Sequence, residues 1–168
     1  AVKALKALVK PENIKLFEKY KVFSKNEITA RYHIWTEMYS TLLLIEANTL
    51  VEMANANVVP DALKYQNLIL ENANNLKAIA ETANILPAAK QDLFDHLADV
   101  TAKIYYVRKN VIDLQKMIVE LNSLDADKRG EKIFNDLKPL MLHIRKHIDE
   151  LEQVVPDNYW SLPKYREM

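Results

Sequence analysis

LFDHLADVTAKIYYVRKNVIDLQKMIVEL, residues 93–121, carries Leu93, Leu97, Val100, Ile104, Val107, Val111, Leu114, Ile118 and Leu121 at steps that alternate four and three throughout. Such steps average about 3.5 residues, close to one helical turn, so these side chains fall on one edge and can pack against neighbouring helices along the whole stretch. The pattern predicts a helix over 88–122 after Pro87, roughly 50 Å long at a rise of about 1.5 Å per residue. It is the spine of the expected fold.

Downstream, Ser123, Leu124, Asp125, Ala126 and Asp127 form a turn in which Asp125 or Asp127 can cap a last long helix over 128–154. Its apolar stripe is Ile133, Leu137, Leu140, Ile144, His147, Leu151 and Val154, widened by Met141 and Ile148 and weakened locally by Gly130 and Pro139. Val155 and Pro156 end it, and the closing NYWSLPKYREM, residues 158–168, is aromatic enough to be expected to dock.

Upstream, Pro11 separates a first helix from a second short one over 11–20, because proline stops one helix and is tolerated at the first turn of the next. Ser24 and Glu27 make a capping box. From Lys25 to about Val58 two adjacent stripes follow, Ile28, Tyr32, Trp35, Tyr39 and Leu42, then Leu43, Ala47, Leu50 and Ala54, which makes a wide-faced helix expected to contact two neighbours. Pro60 either bends or ends it. Residues 61–83 form the next helical segment, with Ala62, Tyr65, Ile69, Ala73, Leu76, Ala80 and Ala83 inward. The expected architecture is all-α, an up-and-down bundle of long antiparallel helices joined by short connections. Residues 1–23 form an N-terminal helical arm, 24–155 the bundle, and 156–168 the aromatic tail.

Composition agrees with that architecture. One glycine in 168 residues and an aromatic share of 8% argue against a turn-rich β fold, and a chain of this length buries roughly 70% of its unfolded surface in one core. Lys and Arg equal Asp and Glu at 23 each, without the basic bias of nucleic-acid binders. No apolar run approaches the ~20 residues of a membrane span. Without cysteine there is no disulfide or thiolate site. The opening AVKALKALVK, starting at Ala1, lacks a secretory core and reads as part of a longer polypeptide. A soluble, cytoplasmic protein with neither nucleic acid nor membrane as partner is expected.

Chemistry is hard to find. His143 and His147 stand four apart and could share a metal, but Arg145 and Lys146 lie between them and no glutamate follows His143. His147 is better read as a stripe residue hydrogen-bonded to a facing helix, with His143 at the edge. A di-metal bundle needs Glu-x-x-His, yet Ala30, Leu93, Leu140 and Ile144 precede the four histidines at that spacing. Glu46 interrupts an apolar stretch, so partial burial beside Arg31 or Arg108 is expected. Aromatic pairs such as Tyr105 with Tyr106 and Tyr159 with Trp160 are read as packing or interface residues. Catalytic, cofactor and metal residues are none. The interface and packing candidates are Trp35, Tyr39, Glu46, Tyr159, Trp160 and Tyr165.

The wording of residues 23–69, with RYHIWTEMY, IEANTLVEMA and VVPDALKYQ, and the closing WSLPKYREM resemble the C-terminal helical region of type III glutamine synthetases. The resemblance implies a parent enzyme that ligates ammonia to glutamate at the expense of ATP, with magnesium or manganese. It also implies an active site built by an upstream domain at the boundary between subunits of stacked rings. No counterpart of those phosphate- and metal-binding motifs lies in this chain, so no catalytic residue is carried over and the chain alone is expected to be inactive. Its expected partners are the catalytic domain of the same polypeptide and neighbouring subunits of a ring-shaped homo-oligomer. The alternative is a free-standing, non-catalytic docking module that presents the Tyr32, Trp35 and Tyr39 stripe or the tail.

Overall fold

A computed structural model describes residues 2–79 and 87–164. Every regular element among them is helical: α1 (Val2–Leu8), α2 (Pro11–Lys19), α3 (Lys25–Met53), α4 (Val59–Ile79), α5 (Pro87–Asn122), α6 (Ala126–Lys132) and α7 (Lys138–Val154). Among the described residues no helix is long and apolar enough to cross a membrane. The predicted connection at 84–86, with Ala80 and Ala83, lies outside the described residues.

The all-α expectation holds, and the starts of the helices follow the predicted capping chemistry. Glu27 accepts from the Ser24 amide at 2.7 Å, while the Glu27 amide donates to Ser24 Oγ at 3.3 Å. These reciprocal bonds satisfy donors that a helix start leaves without partners. Asp125 caps α6 by accepting from the Lys128 amide at 3.0 Å. Lys21, just before the Ser24 cap, takes a positive φ of 53° where the chain turns out of α2.

Pro60 neither ends nor breaks its helix. Ala54–Val58 is a π turn in which the Val59 amide donates to the Ala54 carbonyl. Ile133–Leu137 repeats the arrangement before Pro139, with the Lys138 amide on the Ile133 carbonyl. Proline brings no amide hydrogen and crowds the preceding turn. Widening that turn by one residue relieves the crowding and lets the helix continue. The helical run therefore extends from Lys25 to Ile79 without interruption.

The chain divides into two compact units, Ala1–Thr49 with Leu114–Met141 and Leu50–Asp113 with Leu142–Met168. In the first, α5 reverses into α6 over residues 123–125. Arg129 holds the reversal by donating to the carbonyls of Leu121 at 3.1 Å and Leu124 at 2.8 Å. Lys132 pairs with Glu120, Lys6 with Glu131, and the Tyr32 hydroxyl donates to Asp127 at 2.6 Å. The core of this unit is Ile28, Tyr32, Ala47, Leu114, Ile118, Leu121, Ile133 and Leu137. Gly130 is buried inside α6, where a larger side chain would meet its neighbours.

The core of the second unit is Ala54, Val58, Ala62, Ile69, Ala73, Val100, Ile104, Val107, Val111, Ile144 and Leu151. Together the two cores bury the heptad of residues 93–121 from Val100 onward, while Leu93 and Leu97 are half-buried. The last-helix stripe likewise buries Ile133, Leu137, Ile144 and Leu151.

One stripe departs from expectation. The buried edge of α3 is Ile28, Tyr32, Thr36, Ser40 and Ala47. Steps of four advance round the helix slightly each time. This carries Thr36 and Ser40 inward, and their small side chains let neighbouring helices approach. Trp35 and Leu42, predicted inward, stand exposed.

Candidate functional site

Polar contacts join α4 and the π turn before it to residues 157–164. Asp61 lies in the first turn of α4, only 3% exposed. Its Oδ2 accepts the Ser161 amide at 2.7 Å and its Oδ1 meets Lys64 Nζ at 2.9 Å. Asn57 in the π turn donates to Ser161 Oγ at 3.1 Å. Burial alone would raise the Asp61 carboxyl. Hydrogen bonds from the Ser161 side chain, from Lys64 and from the Ser161 amide outweigh it and hold the group below the ordinary carboxylate range.

Around this latch the tail packs as well as bonds. Asp157–Tyr159 forms a single 3-10 turn, and the Tyr159 ring lies 6.3 Å from that of Tyr65. Tyr65 in turn shares a 2.9 Å hydrogen bond with His96, and burial pushes its hydroxyl upward. Trp160 is 8% exposed, with its Nε1 hydrogen unpartnered. Lys164 is buried, donating to the Val155 carbonyl at 2.5 Å and pairing with Asp157 at 2.9 Å. Beside Trp160 a cavity of about 280 Å³ is lined by Leu50, Met53, Val58, Ile148, Leu162 and Pro163 among others. Of the sequence candidates in the tail, Tyr159 is half-buried, Trp160 buried, and Tyr165 lies outside the described residues.

The α3 candidates are placed differently. Trp35 is 37% exposed and borders a small apolar recess with Leu8, Phe17, Phe23, Ile28 and Arg31. Tyr39 is half-buried, its hydroxyl pushed up by burial and then by the nearby Glu46. Glu46 itself is exposed, which corrects the expectation of a buried carboxylate paired with Arg31 or Arg108. The buried edge passes through Ala47 instead, and the Arg31 guanidinium sits 4.6 Å above the Phe23 ring.

The histidine pair also differs from its expected placement. His147 Nδ1 lies 3.3 Å from Glu150 on its own helix, and its ring stacks on Tyr106 of α5 at 5.3 Å. His143 is exposed and meets His147 edge to face at 4.7 Å. Among the described residues no three His, Asp or Glu side chains are grouped to hold a metal ion. Tyr105 and Tyr106 are exposed rather than packed in a core.

What the arrangement does is hold residues 157–164 against the helix at Asn57, Asp61 and Tyr65. Asp61, Asn57, Ser161 and Lys164 were not picked out by pattern. The available signal was the charge itself, Asp61 between Val58, Val59 and Pro60 on one side and Ala62 and Leu63 on the other, since a carboxylate buried among apolar neighbours needs hydrogen-bonding partners.

Residues 1–77 match the sequence model of the glutamine synthetase C-terminal domain. A glutamine synthetase of Bacteroides fragilis is 29% identical over 153 residues, covering 88% of this chain and 20% of that protein. A type-3 glutamine synthetase of Dictyostelium discoideum is 26% identical over 166 residues, 98% of this chain and 22% of that protein. A glutamine synthetase of Butyrivibrio fibrisolvens is 26% identical over 95% of this chain. The chain thus spans about a fifth of the length of the curated relatives it matches.

Proposed function

We propose that this chain, whose residues 1–77 match the glutamine synthetase C-terminal domain model, acts as a structural and assembly domain of a larger, type III synthetase. The carrying observation is the pattern of similarity: nearly all of this chain aligns with one fifth of longer enzymes. The anchored tail suits that role, since a latched terminal segment holds a fixed surface for a neighbour. The reaction of the larger enzyme is then the ATP-dependent ligation of ammonia to glutamate, with magnesium or manganese bound by another domain, in a cytoplasmic ring-shaped oligomer. The partners are the catalytic domain of the same polypeptide and adjacent subunits.

The test is the size of the native polypeptide, read with an antibody against this domain on an extract of the source cells. A band several times heavier than 19.5 kDa, copurifying with ATP-dependent glutamine formation, is the expected result. A band at the size of this chain would overturn the proposal and favour a free-standing docking module.

A further inference from the structure

The face of α3 opposite its buried edge is apolar. Each residue turns the helix by about 100°, so Met38 lies roughly half a turn away from the buried Thr36 and Ser40. Ile34, Met38, Leu42 and Ile45 share this outward face, each more than half exposed, and Trp35 stands at its edge. The remaining outward position between them is Thr41, also exposed and uncharged. Between Ile34 and Ile45 charge appears at the margins, Glu37 on one side and Glu46 on the other, and Arg31 closes the N-terminal end of the face one turn before Ile34; all three are exposed. A helix whose second face is meant for water carries its charges there, and one apolar all round is normally covered on both sides. From Ile34 to Ile45 the strip extends roughly 16 Å along the helix.

The exposed apolar residues of α5 are different. Arg108, Lys109 and Lys116 share the outward face of Ile112 and Val119, which makes it an ordinary solvated surface. The α3 face also lies inside the 1–77 match to the synthetase domain, and Val119 lies outside it.

We infer that this α3 face is where the remainder of the synthetase polypeptide docks, through an apolar strip bordered by basic side chains. The inference rests on the reading of the chain as one domain of a longer synthetase. Two observations select the occupant. About four fifths of the relatives' length lies beyond the aligned segment, and the acidic margins call for a basic rim on whatever covers the strip.

The experiment uses the polypeptide as its own cells make it, with a photoreactive phenylalanine analogue at position Met38 and crosslinks mapped by mass spectrometry. The expected crosslink joins Met38 to a residue of the polypeptide beyond these 168, in the same or a neighbouring subunit. Crosslinks solely to the α3 face of a second copy would overturn the inference in favour of self-association. A polypeptide several times heavier than this chain with no crosslink from Met38 would also overturn it, while leaving the proposed function standing. A native polypeptide no longer than this chain would remove both. As a second readout, Met38→Lys with Ile45→Lys should lower the assembled fraction about tenfold, and Val119→Lys, 72% exposed on α5, less than about twofold. Equal effects from the two variants would count against the α3 face.

Discussion

Replacing Trp160 by alanine tests whether the tail is held by burial. The side chain is 8% exposed, and relative to alanine it removes on the order of 200 Å² of surface from water. At ~25 cal/mol per Å² that is about 5 kcal/mol. The indole Nε1 has no hydrogen-bond partner, a burial penalty of about 1–2 kcal/mol that the substitution relieves. The net expected loss is about 3 kcal/mol, at the lower end for Trp→Ala. Trp160→Phe keeps most of the ring area and discards the orphan donor, so it should lose less than about 1.5 kcal/mol. Urea unfolding followed by far-UV circular dichroism reads the loss. Fluorescence separates the two tryptophans, because only the half-exposed Trp35 remains in the variant and its emission should be red-shifted. A Trp160→Ala variant with an unchanged urea midpoint and a blue-shifted emission would refute the reasoning.

The Asp61 latch predicts a direction with pH. Its folded pKa is depressed below the unfolded value, so its contribution is present above the ordinary carboxylate pKa of about 3.9 and is lost as pH falls through the folded value. Proteolysis within residues 156–164 should accelerate below about pH 4 in the native chain, and Asp61→Asn should show that faster cleavage already at neutral pH. Leu114→Ala, at a fully buried heptad position, should cost about 3–5 kcal/mol in urea unfolding; a loss below about 1 kcal/mol would contradict the heptad core. Ser24→Ala should cost about 1 kcal/mol by removing one half of a capping box whose both bonds are formed, measured as a shift in the thermal midpoint.

Much of this was legible in the sequence because it is local. The alternating steps of residues 93–121, the Ser24 and Glu27 box and the cap at Asp125 depend on neighbours within a few residues; the heptad is buried from Val100 onward and both caps form. Aromatic density in the closing segment likewise pointed to docking, and Trp160 is buried.

The failures lie where a choice depends on the partner helix. On α3 nearly every face is apolar, so periodicity alone did not say which edge turns inward. Packing selected Thr36 and Ser40, whose small side chains admit a neighbour, and left Trp35, Leu42 and Glu46 outward. Pro60 posed the same kind of problem. Proline's missing donor is written in the sequence, but whether the helix stops depends on whether the preceding turn widens and the core holds the continuation, as it does through Val58, Ala62 and Ile69.

By itself the sequence determined the helical class, the element boundaries to within a few residues, and the family wording, since propensity, capping and period are properties of short stretches. Only the tertiary structure decided that Asp61 clasps Ser161 across 100 positions of chain, at 2.7 Å, and that α3 turns a polar-looking edge to its core and an apolar one outward. Long-range pairing is set by which surfaces exclude water together, and that is a property of the packed whole.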